Sequence, residues 1–481
     1  MMKKIVSAIL FSVLLYYSFQ MVNEILFIKT EVNAAKDLVL EPKKTIDVFF
    51  LGTSHVYCGV NPLEIWEQSG ITSFDLVTNR QPIWASYSIL KQSLKQQKPA
   101  VIFFEVLGAT DYVEGLIESD RGNHATHLAM DPIPLSFSKI MDVLRIDEIK
   151  KKQEMLFPVI YHHRRLVENE LNSTDLLYPF TRNRNIQKGY VLSLKTEPQE
   201  RSGPYPTQSI PLHPTAEKYL IKIIELCREE KIPLVLFKTP APSSENLLMQ
   251  LNGIAELADK FDIPWIDFNR LVDQIHLDYS TDFVDGGHLN VFGAKKVSAY
   301  LSQYLQEHFH LEDRRKDSKF SSWNADALHY DNRLNLQTTM LFPEYIRRLG
   351  DPHLISVITF NQSVMDHQAN FQEGIQRCEV EPSDILNSSN GLICIFDAGK
   401  VIKSTSGHFV HYANDTIFNI ALGISEGTKS SILVNQKEQS LNVDGVNIVV
   451  YDKDTQTILD RVAFLPTDEM QAVRDPSVVT P

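Results

Sequence analysis

The chain has 481 residues, of which 43% are hydrophobic and 22% charged, with a formal net charge of −13. That length buries a substantial core and leaves room for two domains, and the composition is that of a globular protein. The acidic balance argues against nucleic acid as a partner, and four cysteines without a C-x-x-C pair provide neither a disulfide framework nor a zinc site of that kind.

Lys3 and Lys4 precede an apolar run, Ile5 to Val22, broken only by Ser7, Ser12, Ser18 and Gln20. After Glu24 it continues through Ile25 to Ile28 before Lys29. Residues 1–30 are therefore expected to form a single transmembrane anchor. Two lysines before the run against one after it predict a cytoplasmic N-terminus, with residues from about 35 onward outside. A cleaved signal peptide is the alternative, with Val32-Asn33-Ala34 as the cleavage site.

After a polar linker at 35–44, residues 45–110 read as strand, loop, helix, strand. The strands are Ile46 to Leu51 and Ala100 to Val106, and the helix is Ile83 to Leu94. This is a βαβ unit with a right-handed crossover. Residues 112–210 read as an insertion over the sheet edge, with helical spacing from Ile140 to Leu156. Its histidines, His124, His127, His162 and His163, lack H-x-x-x-H or H-E-x-x-H spacing. They are read as packed or solvated, with no metal expected. Arg164, Arg165, Lys188 and Tyr190 could meet an anionic polymer. The α/β pattern resumes with a helix at Ala216 to Glu230, a strand at Pro233 to Phe237 and a helix at Asn246 to Phe261. A strand at Pro264 to Phe268, a loop at Phe283 to His288 and a helix at Val291 to Glu307 complete it. The alternation predicts an α/β fold with a flavodoxin-like parallel sheet.

Ser54 falls just past the carboxyl end of the first strand, the edge where open α/β sheets bind ligands. A serine hydroxyl needs a base within hydrogen-bond reach, and histidine suits that task. A carboxylate on the other ring nitrogen fixes the tautomer. Asp285 and His288, three apart around Gly286-Gly287, can be presented by one loop; Asp282 competes with Asp285 as orienter.

Gly52-Thr53-Ser54 after the first strand and Asp285-x-x-His288 before the last helix resemble the SGNH (GDSL-like) hydrolase superfamily over residues 45–308. The resemblance implies the SGNH hydrolase fold and a catalytic set of Ser54, Asp285 and His288. Where that family has a Gly-x-Asn-Asp block, this chain has Gly108-Ala109-Thr110-Asp111. Its second block is replaced by Asp75 to Gln81. Thr110, Asn79 and Gln81 are the oxyanion candidates. These departures look more like the extracytoplasmic acyl-transfer branch, DltD and the alginate O-acetylation proteins. That likeness implies a membrane-bound O-acyltransferase (MBOAT) partner.

Residues 310–345, with Arg314-Arg315-Lys316, read as a charged linker. Residues 350–465 read as a β-rich α+β module, with strands at Leu354 to Phe360, Ile417 to Ile424, Ser431 to Asn435, Val446 to Tyr451 and Thr457 to Phe464. Leu392 to Phe396 and Lys400 to Ile402 form a hairpin. Ser430 to Asn435 and Asp444 to Asp452 are similar to the interleukin-like EMT inducer (ILEI)-type domain, which implies glycan binding; a spacer or dimerisation role is the alternative. Cys378 and Cys394 could pair or remain free thiols. Residues 466–481 read as a disordered tail. The combined expectation is a single-pass cell-membrane protein, its bulk extracytoplasmic. It would be a cofactor-free SGNH-type O-acyltransferase or carbohydrate esterase acting on a cell-surface polysaccharide through an acyl-serine. The alternative is a catalytically silent surface-glycan binding protein.

Overall fold

The computed structural model describes residues 2–30, 33–171, 175, 176, 178–180, 184–387, 392–405, 409–414, 418–424, 430–434, 437–453, 457–467 and 470–474. The chain divides into two units, Met1–Ala327 and Leu328–Pro481.

The first unit is built on five parallel strands: β1 (Val48–Gly52), β2 (Ser73–Val77), β3 (Val101–Glu105), β4 (Leu234–Lys238) and β5 (Trp265–Asp267). Their order is β2-β1-β3-β4-β5, that of flavodoxin-like doubly wound sheets. β1 is buried along its whole length, as a strand covered on both faces must be. Phe50 packs against Phe103 and Phe237, with ring centroids 5.2 and 6.2 Å away. Because β2 and β3 flank β1, connections leave the sheet in opposite directions there, and a crevice opens at the carboxyl ends.

Among the described residues, the α-helices of this unit are α1 (Met2–Leu26), α2 (Ala34–Leu40), α3 (Ser54–Gly59), α4 (Pro62–Ser69), α5 (Ile83–Ser93), α6 (Asp120–Met130), α7 (Phe137–Arg145), α8 (Lys152–Leu156), α9 (Pro158–His162), α10 (Arg164–Val167), α11 (Pro214–Glu230), α12 (Glu245–Lys260) and α13 (Val291–His308). α14 (Ser321–Thr338) crosses into the second unit.

The expected loop after the first strand instead holds α3, α4 and the edge strand β2. The polar residues Ser73 and Asp75 hide that strand from an apolar-run criterion, yet both are fully buried. The helical spacing from Ile140 to Leu156 is divided between α7 and α8. After Tyr190 the insertion forms no helix or strand through residue 210, and the Val191 amide donates to the Tyr57 carbonyl at 2.8 Å.

An 18-residue window of α1 has mean hydropathy 1.9, so this helix is long and apolar enough to cross a membrane. The Arg165 guanidinium caps its carboxyl end, donating to the carbonyls of Leu26 at 2.7 Å and Phe27 at 3.0 Å while pairing with Asp175. Those carbonyls lack helical partners, which is why a cation fits there.

The charged stretch after α13 is not a free linker. Arg314 pairs with Asp47 through two hydrogen bonds of 2.7 and 2.8 Å. Phe320, Trp323, Ala327 and Tyr330 are buried at helical spacing, with Trp323 5.4 Å from Trp66.

The second unit adds α15 (Phe342–Arg348), α16 (Gln368–Arg377) and α17 (Pro382–Asn387). Its strands are β6 (Leu354–Phe360), β7 (Leu392–Asp397), β8 (Lys400–Thr405), β9 (Phe409–Asn414), β10 (Phe418–Ile424), β11 (Ser430–Val434), β12 (Lys437–Glu438), β13 (Val446–Asp452), β14 (Thr457–Phe464) and β15 (Ala472–Val473). They form two antiparallel sheets, β15-β14-β13-β6-β7-β8 and β12-β11-β10-β9. β6 alternates between two cores. Leu354, Ile358 and Phe360 join Phe342, Tyr345 and Phe371, whereas Ile355 and Val357 join Ile393, Val449 and Ile432. Cys378 and Cys394 are buried free thiols. The expected tail is partly ordered: β15 pairs with β14, and Arg474 reaches Asp460 and the Leu336 carbonyl. Residues 468, 469 and 475–481 lie outside the described residues.

Candidate active site

β1 ends at Gly52 because nothing larger fits. A Cβ there would lie 2.8 Å from both Glu105 Cβ and Val56 Cγ2. Thr53 then caps α3, its hydroxyl accepting from the His55 amide at 3.4 Å. Ser54 is the first residue of the helix, at the crevice beside β3, and retains 7% exposure. Among the described residues no protein group accepts from its backbone N–H. First-turn amides lack helical acceptors, so this donor is available beside the hydroxyl.

The second half of the site is a closed loop. Phe283 and Leu289 form an antiparallel bridge, and the Val284 amide donates to the His288 carbonyl at 2.9 Å. Asn290 locks the exit. Its Oδ1 accepts from the amides of Phe292 and Gly293 at 3.0 and 3.2 Å, capping α13, while its Nδ2 donates to the Thr281 carbonyl at 2.7 Å. Asp282 is buried and pairs with Lys296 at 2.6 Å, so it supports the loop and does not orient the histidine.

Asp285 and His288 meet Ser54 in one hydrogen-bonded chain. His288 Nδ1 lies 2.9 and 3.0 Å from the two Asp285 oxygens, and His288 Nε2 lies 2.8 Å from Ser54 Oγ. An ionised carboxylate only accepts, so Nδ1 carries the proton and Nε2 presents a lone pair to the serine hydroxyl. Burial alone would raise the Asp285 carboxyl. The amides of Gly287 and His288, at 2.8 and 3.0 Å, and the His288 ring outweigh it and hold the carboxyl below its usual range. Ser54 can thus transfer its proton to His288 as the oxygen attacks an electrophile.

Two of the three oxyanion candidates have their side-chain donors committed within the fold. Gln81 is buried, and its Nε2 donates to the Leu76 carbonyl at 3.1 Å and Ser86 Oγ at 2.9 Å. The Thr110 hydroxyl donates to the Leu107 carbonyl at 2.7 Å. Asn79 is exposed. The Ser54 backbone N–H escaped residue-based reading because it is a property of helix position, not of residue type.

A buried polar chain not read from the sequence lies beside the triad. Glu105 and Lys238, at the carboxyl ends of β3 and β4, form an ion pair of 3.1 Å with no side-chain exposure. Lys238 Nζ also donates to His55 Nδ1 at 3.0 Å and to the Thr239 carbonyl at 2.9 Å. The His55 ring stands 5.4 Å from the His288 ring. Burial, then the Lys238 charge, then His288 push the His55 pKa well below its ordinary value, so His55 is neutral.

The insertion histidines form a separate cluster. Asp131 accepts from His127 Nδ1 at 2.9 Å and from His162 Nε2 at 2.7 Å, all three side chains buried. Among the described residues this is the one group with donors close enough to hold a metal. Burial would raise the Asp131 carboxyl, but His127, His162 and the Lys139 charge together hold it low. That nearby cation opposes a bound divalent ion, so the cluster fits a hydrogen-bonded clamp between α6 and α9. The residues expected to meet an anionic polymer are engaged elsewhere. Arg165 caps α1, Lys188 is buried between Glu41 and Asp326 at 2.7 and 2.9 Å, Tyr190 is buried, and Arg164 pairs with Glu168.

No family model matches the chain, and no curated protein matches it either.

Proposed function

We propose that this protein is a membrane-anchored, outward-facing acyltransferase or esterase of SGNH type that works through an acyl-Ser54 intermediate. The observation that carries the reading is the chain Ser54 Oγ, His288, Asp285, with links of 2.8 and 2.9 Å. Ser54 attacks the acyl carbon while His288 takes its proton; His288 then returns that proton to the departing alcohol. In the second half, a sugar hydroxyl or water gives its proton to His288 and bonds to the acyl carbon, the bond from that carbon to Ser54 Oγ breaks, and His288 returns the proton to Oγ. The Ser54 backbone N–H stabilises the developing oxyanion, with the Asn79 amide as a further candidate. The acceptor is a cell-surface polysaccharide, and the acyl group arrives from an MBOAT partner across the membrane that α1 spans. Residues 350–465, similar to the ILEI-type domain, hold the glycan.

A catalytically silent glycan-binding protein is the second reading, favoured by the committed donors of Gln81 and Thr110. Ester turnover separates the two. On the acyl-serine reading, wild-type protein is expected to hydrolyse p-nitrophenyl acetate and Ser54→Ala is not, with unchanged circular dichroism. Equal background rates for both proteins favour the silent reading.

A further inference from the structure

Lysine can only donate, so the bond from Lys238 Nζ fixes His55 Nδ1 as an acceptor and places the ring proton on Nε2. That tautomer is held by a buried ion pair, an arrangement that is costly to desolvate and adds little stability by itself. Nε2–H makes no hydrogen bond among the described residues, and it lies on the side of the Asp285–His288 loop. A Cβ on Gly287 would be 3.5 Å from Nε2. The ring stands 5.4 Å from that of His288, close enough for one bound oxygen to bridge them. In acyl transfer the oxygen beside the general base is the alcohol oxygen, leaving in the first half and entering in the second.

We propose that His55 is a substrate-contacting residue whose Nε2–H donates to the alcohol oxygen of the ester, held in that tautomer by Lys238 and Glu105. The inference rests on the acyl-serine reading. In acylation the bond from carbonyl carbon to alcohol oxygen breaks, the Ser54 Oγ–carbon bond forms, and the serine proton passes through His288 to that oxygen. His55 keeps its own proton throughout and stabilises the charge that builds on the oxygen as the bond breaks. In transfer the same contact orients the incoming hydroxyl. A neutral donor suits this place, because a second base beside His288 would compete for the proton.

The test is leaving-group dependence. kcat/KM is measured for acetate esters of p-nitrophenol, phenol and trifluoroethanol, with wild type, His55→Phe and His55→Gln. A good leaving group needs little help. The expected result for His55→Phe is a loss about tenfold greater on trifluoroethyl acetate than on p-nitrophenyl acetate, the worth of one neutral hydrogen bond. His55→Gln keeps an N–H donor and should recover part of that difference. A purely structural His55 lowers every ester by the same factor, and that outcome overturns the inference. Intact-mass detection of acetyl-Ser54 in wild type separates the two levels: without it the acyl-serine reading falls, and this inference with it.

Discussion

In the proposed mechanism Ser54, His288 and Asp285 act as one unit, so loss of any one should remove most of what the unit does. Asp285→Asn is expected to lower kcat by roughly 10⁴-fold, because an amide no longer enforces the Nδ1–H tautomer. Steady-state kinetics on a soluble ester checks it, with a thermal melt to show that the fold survives. These three residues were legible in the sequence because Gly-x-Ser and D-x-x-H sit at fixed places in the α/β order. His55, Lys238 and Glu105 were not, since they converge only when the ends of β1, β3 and β4 lie side by side. A different residue gives a pH test. Asp75 is fully buried, and neither carboxylate oxygen has a hydrogen-bond partner among the described residues. Burial therefore raises its pKa well above the usual value. The unfolded chain loses this proton above about pH 4 while the folded one keeps it. Wild-type stability is thus expected to fall with rising pH relative to Asp75→Asn. The gap widens by about 1.4 kcal/mol per pH unit until the folded carboxyl ionises. Urea denaturation at pH 4, 5 and 6 measures it, and a gap constant with pH contradicts the assignment.

At the scale of elements, the loop from Phe283 to Leu289 depends on the cap that follows it. Asn290→Ala removes two accepted amide bonds and the tie to the Thr281 carbonyl, and is expected to cost about 1 kcal/mol of stability. Its larger effect should be a lower kcat at unchanged fold, since Asp285 and His288 are positioned by that loop. Asp131→Ala in the insertion is expected to cost about 3 kcal/mol, because it leaves two buried histidines without their shared acceptor. Chemical denaturation reads both. Apolar strands such as β1, β4 and β6 and the long helices α11 to α13 were readable from periodicity. β2 was not, because Ser73 and Asp75 occupy buried positions there. α14 was obscured by the charges around it, although Phe320, Trp323, Ala327 and Tyr330 carried the helical spacing.

For the whole molecule, the boundary between units matters to any dissection. A chain ending at Asp317 lacks Trp323 and Asp326. It exposes Trp66 and leaves the buried Lys188 with Glu41 as its remaining carboxylate. A chain ending at Ala327 keeps both, and is expected to be more stable by about 3 kcal/mol or more. The Ala327 form should turn over a small ester, because Ser54, Asp285 and His288 lie within the first unit. If residues 350–465 hold the glycan as proposed, it should lose efficiency on a polymeric acceptor, because tethering raises local concentration to roughly millimolar. Equal losses on both substrates would assign the second unit to the stability of the catalytic one. The proposed topology has its own check. Protease added to intact cells should digest the bulk of the chain, and protection until lysis reverses the orientation.

The proposed function requires Ser54 to be an activated nucleophile. The direct measurement is covalent trapping: full-length protein is treated with a fluorophosphonate and the modified peptide is located by mass spectrometry. One adduct is expected, on Ser54, lost in His288→Ala although the serine remains. Labelling that ignores His288, or no adduct on Ser54 at all, contradicts it.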